Sequence, residues 1–419
     1  MDVGATYPMT MGQLSVWRDV EKMPPERRWE ANLVFAWDIP EGHSIDEVWN
    51  ALGVIGMRHE SLRTIYVVDD VENPRQRLAT DDPAAVLDAV RQGTVDVADR
   101  AAVEDEQVRR AFDVTCDIPW RAWILTRDGL PRDLLVVINH MAADAAGLLI
   151  MRDDFHTILA GSPLPAPGLM PRELAVRQRD STTGRLRTSE AYWRRTLAAA
   201  PRQTASPGPG EPIGATLHTG IPLSKAHEGA AGLGISLASV LLAAYYCALR
   251  EATGSSKILL YPMANNRFDP TMADIVTSQN QWVPLVAEFD EAEPFDTLAG
   301  KIHWKTFNAL KNGCHDVDAT NRIRAEFSAM DPPVDPGYNF NAVVAPAGDP
   351  ATESIDPSRV EWYVPARTTG PGFYLIARAI SSIELVFRVN RPGIDKEALT
   401  TCLTSVQDRL LSVAGLPRT

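Results

Sequence analysis

The chain has 419 residues, with 41 Lys+Arg against 54 Asp+Glu and a formal charge of −13. At about 100–200 residues per domain this length predicts two or three domain-sized units, and 45% hydrophobic with 23% charged residues supplies a sizeable core. A pI near 5.1 argues against nucleic acid and anionic membranes as partners, because both select clustered Lys and Arg.

No targeting signal is visible. Residues 1–20 lack a basic region followed by an apolar one, and no uninterrupted apolar run approaches the ~18 residues of a membrane span. Cys116, Cys247, Cys314 and Cys402 are far apart and form no CxxC pair. That spacing predicts free thiols in a reducing cytoplasm and excludes a zinc ribbon or a disulfide scaffold.

Taken in chain order, the first strong helix follows Ser44. Ser44 and Glu47 form a capping box, and Ile45, Val48, Trp49, Leu52 and Ile55 line one helical face as far as about Gly56. Residues 62–68 read as a strand. The apolar run 134–138 predicts a buried strand that delivers Asn139 and His140 at its C-terminal end. Leu148, Met151, Phe155 and Leu159 then recur at helical spacing. Pro163, Pro165, Pro167, Gly168 and Pro171 break the chain, residues 181–197 read as helical, and Pro207-Gly208-Pro209-Gly210 is a second breaker. A boundary near residue 175 is expected here, dividing a lobe over 1–175 from one over 176–419. In the second lobe, residues 235–249 predict an apolar helix, 258–261 a strand and 295–310 an amphipathic helix. Ile383, Leu385, Phe387 and Val389 alternate as a half-buried strand, and Leu399, Cys402, Leu403, Val406 and Leu410 line a last helix. Both halves are α/β.

Among eight histidines, His140 stands out because it leaves a buried strand with Asp144 four residues on, at the mouth of a helix. A neutral imidazole there can act as a general base. Asp144 can cap the helix or pair with a buried arginine. Spacing alone leaves His140 open between a base and a core histidine bonded to backbone. No phosphate-binding glycine loop, GxSxG elbow or HExxH helix is present, and His156, His303 and His315, on or beside helices, have no ligand-type residue at i+4 to suggest a metal. Direct transfer is therefore expected in place of a covalent enzyme intermediate.

Several segments are recognisable. Residues 7–17 (YPMTMGQLSVW), 58–64 (RHESLRT), 139–145 (NHMAADA), 192–197 (YWRRTL) and Asn265-Asn266-Arg267 stand in order along the chain. They resemble the YPLSxxQxxxW, RHExLRT, HHxxxDG and YWxxxL motifs of nonribosomal peptide synthetase condensation domains, in the chloramphenicol acetyltransferase superfamily. The resemblance implies an α/β (α+β sandwich) fold of two acetyltransferase-like lobes in a V, with a tunnel between them. It assigns His140 as the catalytic histidine. Asp144 becomes structural, paired with Arg58 or Arg63. It also implies an acyl thioester on the phosphopantetheine arm of a peptidyl or acyl carrier protein, or on coenzyme A, with no bound cofactor and no metal.

Three departures qualify the match. Asn139 replaces the first motif histidine, where its amide can still bond. Ala145 replaces the terminal glycine and adds a methyl where glycine alone is free at positive φ. Gln281 and Trp282 stand where the family carries Asn-Thr. Ala145, Gly147, Gln281 and Trp282 are accordingly expected along the substrate tunnel. Arg185, Arg187, Arg194 and Arg195 offer a basic patch for an acidic carrier, against the alternative of a solvated helix face.

The sequence is thus expected to be a free-standing, monomeric, cytoplasmic acyltransferase of natural-product (nonribosomal peptide, antibiotic) biosynthesis. It would form an amide or ester with a small-molecule or carrier-bound acceptor. The alternatives are an acyl-coenzyme A-dependent enzyme and a non-catalytic member that recruits a tailoring enzyme or carrier.

Overall fold

Strand β1 (Tyr7–Pro8) leads into helix α1 (Met11–Val20), whose start is held by reciprocal bonds. Gln13 N–H donates to Thr10 Oγ1 (3.1 Å), and Thr10 N–H donates to Gln13 Oε1 (2.8 Å). The computed structural model describes residues 4–180, 182, 184–203, 210–290, 292–346, 358–367, 369–392 and 394–417. Its contacts form two units: Met1–Gly184 with Asn265–Gln281, and Arg185–Ala264 with Trp282–Thr419. Where sequence reading expects one boundary near 175, the chain leaves the first unit at 184 and returns to it for residues 265–281. The breaker residues 207–209 lie outside the described residues.

The first unit continues with β2 (Asn32–Asp38), α2 (Ile45–Arg58), β3 (Thr64–Val67), β4 (Arg75–Leu78), α3 (Pro83–Val90), β5 (Arg91–Asp96) and α4 (Arg100–Val108). After these come β6 (Trp120–Arg127), β7 (Leu130–Asn139), α5 (Ala145–Leu159) and α6 (Pro171–Gln178). The Ser44–Glu47 box closes as expected, with Ser44 N–H on Glu47 Oε2 at 2.7 Å, and Val48, Trp49, Leu52 and Ile55 are buried. A four-stranded sheet runs β2-β7-β6-β5, with β5 parallel to β6 and the other pairs antiparallel. Its central strand β7 is buried from Leu134 to Asn139 because both faces are covered. One face packs on Trp49, Leu52, Met151 and Phe155, the other on Phe112 and on Val103 of α4. Strands β1-β4-β3 form a second, smaller sheet.

The helix α6 begins at a proline that sequence reading treats as a breaker. Proline suits the first helical position, where its missing N–H would have no intrahelical partner anyway. A turn over 60–63 precedes β3, which shortens the strand expected from residue 62.

The second unit comprises α7 (Arg185–Ala198), β8 (Ile213–Pro222), α8 (Leu223–Gly232), α9 (Leu237–Thr253), β9 (Lys257–Ala264), the short β10 (Gln281–Trp282), β11 (Leu285–Glu288) and α10 (Phe295–Leu310). It closes with α11 (Val317–Ser328), β12 (Tyr338–Val344), β13 (Arg359–Tyr363), β14 (Phe373–Ala379), β15 (Ser382–Val389) and α12 (Lys396–Val413). The sheet order is β10-β9-β12-β14-β15-β8-β13, with β11 also on β9, and β12 runs parallel to both its neighbours. The Ala-rich α9 is buried from Leu237 to Leu249 apart from Ala238, and with α8, α10 and α12 it covers one sheet face. Helices α7 and α11 cover the other through Trp193, Leu197, Ile323 and Phe327. Among the described residues no single helix is long and apolar enough to cross a membrane.

Candidate active site

At the end of β7 the chain turns sharply over residues 139–144. Asn139 N–H donates to Pro119 O (2.8 Å), and its Oδ1 accepts Met141 N–H (3.0 Å), an Asx turn that Asn makes readily. His140 N–H donates to Ala31 O at 2.8 Å. Met141, Ala142, Ala143 and Asp144 are fully buried and Asn139 nearly so, while His140 is half-buried. Within this loop the imidazole alone keeps appreciable accessible surface. His140 Nδ1 lies 3.1 Å from Ala143 O. A carbonyl can only accept, so Nδ1 carries the proton, and in the neutral ring Nε2 holds the lone pair. The departure Asn139 is therefore a turn-former, and it leaves the tautomer of His140 to backbone geometry.

Asp144 caps α5, its Oδ1 accepting Gly147 N–H at 3.0 Å. The same carboxylate takes a two-pronged ion pair from Arg267, Nη1 to Oδ2 and Nη2 to Oδ1, both 2.8 Å, and accepts Gln279 N–H at 2.9 Å. Every lone-pair direction of a completely buried carboxylate is thus served, which is what burial of a charge demands. Arg267 also donates to Ile275 O (3.2 Å) and Thr277 O (3.1 Å). It arrives through Asn266, whose left-handed φ of 54° an asparagine tolerates, and whose Nδ2 donates to Gln279 O at 2.7 Å. Residues 265–281 form a closed loop around the guanidinium.

The expected pairing of Asp144 with Arg58 or Arg63 is corrected by this geometry, since both are committed elsewhere. Arg58 Nε and His59 Nε2 bind Asp154 Oδ2 on α5 at 2.7 and 2.8 Å. Arg63 donates to Thr80 O (3.3 Å) and Met57 O (3.5 Å), and burial lowers the pKa of its guanidinium. Burial likewise raises the Glu60 carboxyl, against the pull of Arg172 at 3.1 Å. Ser61 Oγ donates to Val276 O at 2.6 Å. The RHESLRT segment is therefore a fastening point for α5, α6 and the 265–281 loop. That loop also lies against α1, where a Cβ on Gly12 would stand 2.2 Å from Ser278 O, so only glycine fits.

The remaining expected residues have distinct settings. Ala145 opens α5 and is not among the described residues with positive φ, so its methyl costs no backbone strain, contrary to the concern the sequence raises. A Cβ on Gly147 would meet Ala143, Asp144 and Thr277 at 3.4–3.6 Å, ordinary contact distances. Gln281 is buried, with Oε1 3.4 Å from Asn266 Nδ2. Trp282 packs in the second unit, edge-on to Tyr374 at 5.3 Å. Arg185, Arg187, Arg194 and Arg195 are exposed on α7, but Arg194 is paired with Glu326 on α11 and Arg195 lies over the Tyr192 ring at 5.7 Å. Sequence reading singles out Asn265-Asn266-Arg267 without its role, and it misses Gln279 and Gly12.

Chemically, the loop presents one accessible imidazole of defined tautomer on a frame held by a buried ion pair. Among the described residues no cluster of three His, Cys, Asp or Glu side chains could hold a metal ion. The family model described as "Condensation domain" matches residues 4–313. Similar curated proteins include surfactin synthase subunit 1 of Bacillus subtilis (23% identical over 61% of this chain and 7% of that protein) and isonitrile lipopeptide synthase of Mycobacterium tuberculosis (27%, 62% and 11%). The chain thus spans a small fraction of the relatives it matches. Among solved structures, one concerned with condensation domain-mediated chain release from the enacyloxin polyketide synthase aligns with a TM-score of 0.77 at 20% identity, over 99% of this chain and 83% of that one. SgcC5 protein from Streptomyces globisporus aligns at 0.70 and 20%, over 98% and 100%. These structural likenesses show the fold, two chloramphenicol-acetyltransferase-like lobes.

Proposed function

The chain belongs to the condensation-domain family, and we propose that it is an acyltransferase in which His140 is the general base. Nε2 would take the proton from an amine or hydroxyl as that nucleophile adds to the carbonyl of an acyl thioester. The tetrahedral adduct then collapses, the C–S bond breaks, and the departing sulfur takes the proton from the imidazolium to leave as a thiol. The products are an amide or ester and a free thiol. General-base help of this kind contributes about 10²–10⁴ in rate.

The observation that carries this reading is the Nδ1–H bond to Ala143 O at 3.1 Å, on a half-buried ring in an otherwise buried loop. It supports Nε2 as the basic nitrogen. Asp144 and Arg267 would be positioning residues that hold the loop. The donor in this reading is an acyl group on the phosphopantetheine arm of a carrier protein in natural-product biosynthesis.

The test compares wild type with His140→Ala on acyl-loaded carriers and on acyl-coenzyme A, with amine and alcohol acceptors. A loss of turnover of at least about 100-fold, with an unchanged urea midpoint, is expected. Unchanged turnover refutes the role. Wild-type inactivity on every thioester, together with stoichiometric binding of a partner enzyme, favours a recruiting role instead.

A further inference from the structure

Seven lysines occur in the whole sequence, and three of them, Lys301, Lys305 and Lys311, fall within eleven residues of one another. Between Asp296 and Asp316 there is no acidic residue. In a chain of charge −13 this is an unusual local reversal. The segment is the C-terminal part of α10 and the residues just after it, and the structure turns all three lysines to solvent.

The same face carries two large apolar rings that solvent would normally exclude. Trp304 is 62% exposed and Phe307 44%. Their centroids are 6.0 Å apart at 87°, an edge-to-face pair that orders both rings. Lys311 Nζ lies 4.5 Å from the Phe307 centroid and Lys305 Nζ 5.7 Å from that of Phe289. These contacts orient the ammonium groups, and among the described residues neither Lys305 nor Lys311 is in an ion pair. The third lysine, Lys301, is bound to Glu293. Carboxylates close to Phe289 are engaged elsewhere: Glu288 with Lys257 (3.3 Å) and Asp290 with Ala292 N–H (3.0 Å). Lys301, Trp304, Asn308 and Lys311 recur at spacings of three, four and three residues, a single stripe of the helix with Lys305 and Phe307 flanking it.

We propose that this face of α10 is the docking surface for an acidic helical protein, with Trp304 and Phe307 as apolar anchors and Lys305 and Lys311 as the charge-reading rim. An exposed tryptophan on a helix face that also carries Lys305 and Lys311 matches the composition of interface hot spots, and opposite charge confined to a patch selects a partner of small footprint. A membrane would bring a broad anionic plane against the whole surface, which a charge of −13 opposes. Resting on the acyl-transfer reading, the partner is the acidic carrier protein that bears the donor thioester. This assigns carrier docking to α10 instead of the arginines of α7.

The experiment uses one acyl group in two forms, on a holo-carrier protein of net negative charge and on a short pantetheine-like thiol without protein. Trp304→Ala and the Lys305→Glu/Lys311→Glu double variant are compared with wild type and with Lys225→Glu outside the patch. In the two α10 variants KM for the carrier-borne substrate is expected to rise about tenfold or more. Their kcat, and their turnover of the short thioester, stay at the wild-type level. Equal losses on both substrates, or no change on either, overturn the proposal. Direct titration of the holo-carrier at low ionic strength separates the two readings. Wild-type binding that weakens about tenfold in both variants supports docking even if no thioester is turned over, in which case the acyl-transfer reading alone fails. No wild-type binding, or equal binding by the double variant, overturns docking. Binding of phosphatidylserine/phosphatidylcholine vesicles that is lost in Trp304→Ala, while carrier binding is kept, assigns the face to lipid and also overturns it.

Discussion

Replacing Arg267 with methionine keeps most of the side-chain volume and removes the cation from a wholly buried carboxylate. Asp144 would retain the N–H groups of Gly147 and Gln279 but lose two 2.8 Å bonds to the guanidinium. Charge-assisted bonds contribute about 1.5–3 kcal/mol each, and breaking a buried pair from one side costs about 3–5 kcal/mol. A loss of about 3–5 kcal/mol in urea unfolding is therefore expected. The same change releases the loop that aims His140, and a displacement of about 1 Å there lowers kcat by about 100-fold. The assay is a double-mutant cycle of Arg267→Met with Asp144→Asn. Coupling of about 2–3 kcal/mol is expected, whereas Arg58→Met with Asp144→Asn should be additive within about 0.5 kcal/mol. Additive effects of Arg267→Met and Asp144→Asn would refute the pairing as the source of the stability.

Two further outcomes follow from the geometry. Gly12→Ala places a methyl against the Ser278 carbonyl, so backbone must shift, and unfolding free energy should fall by about 1–3 kcal/mol. A melting curve equal to wild type would contradict that contact. Burial pushes the imidazole of His315 down to about 4, below its value near 6.5 in the unfolded chain. A depressed folded pKa means the contribution is present above about pH 6.5 and lost as pH falls towards 4, roughly 3 kcal/mol in all. His315→Phe should flatten that slope in pH-dependent denaturation, and an unchanged slope places the titration elsewhere.

Local signals carried much of the architecture. The Ser44–Glu47 box, the apolar run feeding His140 and the periodicity over 295–310 each marked an element that forms, and α10 has both expected ends. Such features depend on neighbours within a few residues. The partner of Asp144 does not, because Arg267 lies 123 residues further on and its approach depends on a left-handed Asn266. Both nearer arginines suit Asp144 by charge alone, yet Asp154 and the backbone carbonyls of Thr80 and Met57 occupy them. Helix α6 was hidden for another reason, since Pro171 punctuates a chain and starts a helix equally well. The basic stripe was equally hard to see, because exposure and not composition makes Trp304 an anchor.

The return of residues 265–281 to the first unit bears on how the protein is made. An emerging chain can complete that unit only after the ribosome has passed residue 281, so the first half must wait, with the carboxylate of Asp144 lacking its counter-ion, while α7, β8, α8, α9 and β9 are synthesised. For the same reason a gene cut at residue 184 yields an upstream piece missing its own clasp, and secretion or split-protein schemes that separate the halves should be planned around an intact polypeptide.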